Sequence, residues 1–118
     1  MTLILNFKSD GDLSAIQPEE GAPKPDRLIS GTPKFTTWNL EEASGGLYAG
    51  MWQSTPGKWR GEYDEWEYFN ILEGYSILTE EGGEPIHLRA GDRQIIRPGF
   101  KGTWEVVETT RKDYVVRV

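Results

Sequence analysis

The chain has 118 residues, enough to bury one core and short of two. Its 13 Lys and Arg stand against 19 Asp and Glu, a net charge of -6 that opposes attraction to phosphate backbones and anionic lipid, so neither nucleic acid nor membrane is an expected partner. Without Cys there are no disulfides, thiolate metal sites or cysteine nucleophiles, and the cytoplasm is the expected compartment.

The first apolar stretch, Leu3 to Leu5 with Phe7, lacks the positive flank and long apolar core of a secretion signal and is read as a strand. No run approaches the ~20 apolar residues that span a bilayer. From Ser9 to Pro33 the sequence SDGDLSAIQPEEGAPKPDRLISGTP holds Pro18, Pro23, Pro25 and Pro33 and little hydrophobic periodicity. It predicts an irregular, extended arm, packed on the rest of the protein or on a partner through Leu28 and Ile29. The expected division is an N-terminal strand and Pro-rich arm over residues 1–33 and a β-barrel over residues 34–118.

After Pro33 the pattern changes to short apolar runs. KFTTWNL, GLYAGMWQST, KWRGEY, EWEYFNIL, YSILTE, PIHLR, RQIIR, TWEVVE and DYVVRV read as nine strands, separated by Gly- and Pro-bearing turns. Only LEEAS, residues 40–44, resembles helix, and it is too short to be stable alone. Many short strands with closely spaced turns predict an all-β antiparallel sandwich or barrel, closed so as to limit exposed edges.

Alternation assigns the faces. Glu67, Phe69 and Ile71 share one side of their strand, and Trp66, Tyr68, Asn70 and Leu72 share the other. Both sides are largely apolar, so one is expected to line the barrel and the other to meet the arm or a partner subunit. A homodimer is expected, with Trp66, Tyr68, Leu72 and the Leu3 to Phe7 strand in the contact.

An inward carboxylate at Glu67 needs a stabilising partner. Lys58, Arg60 and Tyr63 precede it on the neighbouring strand, and Tyr48, Trp52 and Trp104 come from other strands. Two readings stay open. Glu67 is a structural anion held by Arg, Tyr or a buried water, or it is a recognition or proton-transfer group in an aromatic pocket where burial favours the neutral acid. The candidate ligand-binding residues are Tyr48, Trp52, Arg60, Tyr63, Glu67, Phe69 and Trp104, with Glu67 as candidate catalytic acid or base. His87, the only histidine, is expected at the surface, and Ser54 and Ser76 have no histidine beside them, so a Ser-His-Asp hydrolase is not supported.

Three blocks in order, PGKWRGEYDEWEYFNILEG, LRAGDRQIIRPGFKGTWEVVE and RKDYVV, resemble the small cupins grouped with the ureidoglycine aminohydrolase cupin domain, over roughly Thr36 to Val116. The resemblance implies a double-stranded β-helix, or jelly roll. Metal-binding cupins carry H-x-H, three or four residues, E, six residues and G; Glu67 and Gly74 match the last two, and Gly91, Asp92 and Gly99 match the second block. The expected histidines are replaced by Gly61 and Tyr63, or Arg60 and Glu62 with the longer spacing, and by Gly102. One carboxylate alone does not hold a transition metal, so no metal and no cofactor are expected. Three functions follow: metal-free binding of a small polar molecule in the barrel, aminohydrolase-like or other enzyme chemistry through Glu67, or an accessory subunit whose barrel is filled by its own side chains.

Overall fold

The computed structural model describes residues 3–7 and 16–118. Among these there are nine strands and no helix: β1 (Glu19–Gly21), β2 (Leu28–Gly31), β3 (Phe35–Ala43), β4 (Leu47–Ser54), β5 (Gly57–Tyr63), β6 (Trp66–Glu80), β7 (Ile86–Arg89), β8 (Arg93–Ile96) and β9 (Phe100–Arg117). All pairings are antiparallel, in one curled sheet that forms a jelly-roll barrel. No helix among the described residues is long and apolar enough to cross a membrane.

Two long strands organise the sheet. Along one edge β9 pairs first with β5 and then with β4, while its other edge follows β6 from Trp66 to Glu80. β6 in turn carries β8 on its first half and β7 on its second. The runs EWEYFNIL and YSILTE, expected as two strands, are therefore one, and so are TWEVVE and DYVVRV. The reason lies at Gly74, whose φ of 97° and close approach to Thr109 let β6 bend while it stays paired with β9. The register shifts between the two strands cluster there, from Ile71 to Ser76.

The arm is less irregular than its composition predicts. β1 adds to β3, with Gly21 opposite Phe35, and β2 adds to β5, with Leu28 opposite Trp59, so two backbone ladders cover the flanks of the barrel. Leu28 and Ile29 stay 37% and 45% exposed, so pairing rather than burial holds them. Leu3–Phe7, expected as a strand, lies outside every strand, with Leu3 94% exposed. Residues 8–15 of the arm lie outside the described residues. The LEEAS stretch extends β3 instead of turning into helix, because Glu41, Glu42 and Ala43 pair with Ala49, Tyr48 and Leu47.

The core follows the predicted alternation. Phe69 and Ile71 are fully buried with Leu78, Leu88, Ile96, Trp104, Val106 and Tyr114, while Trp66, Tyr68, Asn70 and Leu72 on the opposite face are half-buried. The buried polar groups are paired: Ser76 Oγ lies 2.7 Å from Thr110 Oγ1 and accepts from Trp104 Nε1 at 3.2 Å. Ser76 is thus a core hydrogen-bonding group. His87 is exposed, its Nδ1 at 2.6 Å from the Tyr75 hydroxyl.

Candidate functional site

Alternating residues from five strands and one turn converge on a cavity of about 250 Å³. β3 contributes Phe35 and Thr37, β4 Trp52, β5 Trp59 and Tyr63, β6 Glu67, β9 Trp104, Lys112, Tyr114 and Val116, and the β5–β6 turn Glu65. Each set obeys the period of two, so the extended backbone that builds the barrel also aims these side chains inward. The walls are mutually packed rings. Phe35 meets Trp52 and Trp59 at centroid distances of 5.3 and 4.9 Å, and Trp52 meets Trp104 at 5.9 Å.

The inward carboxylate has a cation beside it. Lys112 Nζ donates to Glu67 Oε2 at 2.9 Å, and both side chains are 6% exposed. The same ammonium lies 4.7 Å from the Trp52 ring centroid, 4.8 Å from Phe69 and 4.6 Å from Trp104. A buried ion pair loses much of its Coulombic gain to desolvation. Here the three ring faces add cation–π attraction to the single carboxylate contact.

The field in the cavity is negative. Burial pushes the Glu65 carboxyl above its ordinary range, with the charges of Glu67 and Asp64 adding to the shift and a backbone hydrogen bond opposing it. Burial, then Glu67 and Glu65, raises the Tyr63 phenol, and burial, then Glu67 and Glu19, pushes Tyr114 up to about 12. Both tyrosines therefore stand as neutral hydrogen-bonding groups. Tyr63 is fixed by its edge contact with Phe100 at 5.4 Å, and the Tyr114 hydroxyl lies 3.1 Å from the Asn39 amide.

Of the residues expected in the site, Trp52, Tyr63, Glu67 and Trp104 line the cavity together. Phe69 is buried against Trp104 and the Lys112 ammonium and is not itself a lining residue. Tyr48 and Arg60 fall elsewhere. Tyr48 packs on the core, and Arg60 is exposed, its guanidinium hydrogen-bonded to the Asp26 carbonyl. For Arg60 the cause is parity: Trp59 and Tyr63 point inward along β5, so Lys58, Arg60 and Glu62 point outward. Arg60 borders a larger groove of about 490 Å³ with Asp26, Arg27, Glu62 and Lys101. Its charges already engage one another, as in the Arg27–Glu62 pair at 3.4 Å, and face solvent, so the aromatic cavity is the better-built site.

Sequence reasoning missed Lys112, Trp59 and Tyr114, and with them Phe35, Thr37, Glu65 and Val116. The signal for the most important one was present. Thr110, Lys112, Tyr114 and Val116 alternate along β9, which puts a lysine on a face otherwise suited to the core.

A cupin metal does not fit these residues. Among the described residues no group of three or more His, Asp or Glu side chains is placed to hold a metal ion. Gly61 and Gly102 stand opposite each other across β5 and β9. A Cβ at Gly102 would lie 2.0 Å from the Thr79 carbonyl oxygen, so no ligating side chain extends from that position without displacing backbone. The remaining ligand, Glu67, is bonded to Lys112.

The family model of the EutQ-like cupin domain matches residues 41–114, a span that includes Glu67, Gly74 and Lys112. The chain belongs to the EutQ-like cupin domain family. This EutQ-like cupin is similar to a protein of unknown function from Pseudomonas syringae pv. tomato, at 29% identity and a TM-score of 0.77, over 86% of this chain and 43% of that one. It therefore spans less than half of that protein's length. Proteins described as ethanolamine utilization protein Q from Salmonella typhimurium and EutQ from Clostridium difficile share the fold, both with TM-scores of 0.65. The Salmonella protein is 19% identical over 86% of this chain and 96% of that one; the Clostridium protein is 21% identical over 82% and 79%. No curated protein matches the chain.

Proposed function

We propose that this cupin binds a small organic molecule in its aromatic cavity without using a metal ion, and that Glu67 and Lys112 act there as an ion-paired recognition group. The observation that carries this reading is the Lys112–Glu67 pair, buried at 2.9 Å in the wall of a cavity lined mainly by aromatic rings. Buried ion pairs contribute little net stability over a packed apolar substitute, so a role in recognition is the simpler account of their presence. The cavity favours binding over a barrel filled by its own side chains. Its volume of about 250 Å³ corresponds to room for about eight water-sized groups.

The aminohydrolase reading draws on the likeness to ureidoglycine aminohydrolase cupins and would run through a metal. The donor set here does not fit one, and the Glu67 carboxylate is bonded to an ammonium rather than to a proton relay. Binding is therefore the reading we adopt. Ligand-observed NMR screening of small polar molecules against chelator-treated protein tests it. Hits that compete for one site and vanish in Trp52→Leu are expected; an absence of hits, or hits that require restored metal, would overturn the reading.

A further inference from the structure

We infer that the cavity selects a small organic cation, an ammonium or amidinium compound, over neutral and anionic molecules of the same shape. The inference rests on the binding function proposed above and adds the chemical class of the ligand. It starts from a charge count at the lining: Glu65 and Glu67 are acidic, and Lys112 is the single basic residue. Lys112 is engaged by Glu67. Among the described residues the ion pairs are Lys112–Glu67 and Arg27–Glu62, so Glu65 faces the cavity without a salt-bridge partner.

The rings supply the second half of the argument. Trp52 and Trp104 already hold one ammonium against their faces, at 4.7 and 4.6 Å from Nζ. Phe35, Trp59, Tyr63 and Tyr114 complete the aromatic part of the lining, and among the described residues no cationic side chain lies over their faces. A weakly hydrated organic cation entering this space gains ring faces and a carboxylate together. A neutral molecule leaves the Glu65 charge uncompensated. An anion meets two carboxylates and finds the one lysine occupied.

Titration of the protein with three near-isosteric probes tests the class: choline, 3,3-dimethylbutan-1-ol and 3,3-dimethylbutanoate, followed by tryptophan fluorescence and calorimetry. Choline is expected to bind about 10-fold more tightly than the alcohol, the scale of a desolvated cation–π and charge contribution, and the carboxylate to give no binding. Glu65→Gln, a change in a partly exposed turn, should weaken choline about 5-fold and leave the alcohol unchanged. Equal binding of choline and alcohol, tighter binding of the carboxylate, or an unchanged choline affinity in Glu65→Gln would overturn cation selection while leaving a ligand-binding cavity in place. Failure of all three probes would overturn cation selection, while the binding function itself stands or falls on the separate NMR screen.

Discussion

Lys112 and Glu67, 45 positions apart in sequence, meet at 2.9 Å inside the barrel because β6 and β9 run side by side for most of their length. Glu67 therefore sits on the inner face as an ion-paired anion, with the three rings around Lys112 shielding the pair from water. Removing one partner leaves the other charged and buried. Lys112→Met and Glu67→Leu are each expected to destabilise the fold by about 3–5 kcal/mol. The double variant should cost less than either single change, because it removes both charges and leaves apolar groups against the rings. Urea unfolding of the four proteins measures the cycle, and additive losses would mean that the pair is not coupled.

The inner face of β6 was legible because period-two alternation needs only local sequence: Glu67, Phe69 and Ile71 are all buried as it requires. The partner of Glu67 was not legible in the same way. Nearness in sequence pointed to Lys58 and Arg60, whose parity sends them to the outer face of β5, whereas Lys112 reaches Glu67 only through the pairing of β6 with β9. β1 and β2 were hidden for a different reason: their side chains are exposed and their hold is backbone pairing, which leaves no hydrophobic period to read. The runs EWEYFNIL and YSILTE look like two strands because a glycine that ends a strand and one that bends it, as Gly74 does, look alike until the neighbouring Thr109 is in view.

Glu65 links the cavity's charge to stability. Its carboxyl is raised above the ordinary value of 4.5 by burial first and by Glu67 second, so the folded protein holds this proton more tightly than the unfolded chain does. The folded state is then favoured at low pH, and this contribution is lost as pH rises from about 4.5 through the folded value. Glu65→Gln removes the repelled charge. Its melting temperature should exceed that of the unmodified protein at pH 7, with the difference shrinking toward pH 4. A variant that melts lower at pH 7, or by the same difference at both pH values, would show that Glu65 is not under this electrostatic load.

The bend at Gly74 can be separated into its two physical parts. Gly74 and Gly91 have nearly the same backbone angle, φ 97° and 95°, a region that disfavours any side chain. Their surroundings differ. A Cβ at Gly74 would lie 2.2 Å from the Thr109 carbonyl oxygen and 2.7 Å from the Thr110 Cα, whereas a Cβ at Gly91 meets nothing within 4 Å. Gly91→Ala is therefore expected to cost only backbone strain, about 1–3 kcal/mol. Gly74→Ala should cost that and more, because β9 must move away from β6 where the register shifts between the two strands cluster, and the shift should disturb the Lys112–Glu67 contact carried by the same two strands. Urea midpoints of the two variants, followed by tryptophan fluorescence, make the comparison. Equal losses from the two alanines would show that close packing of β6 on β9 at Thr109 does not shape the bend.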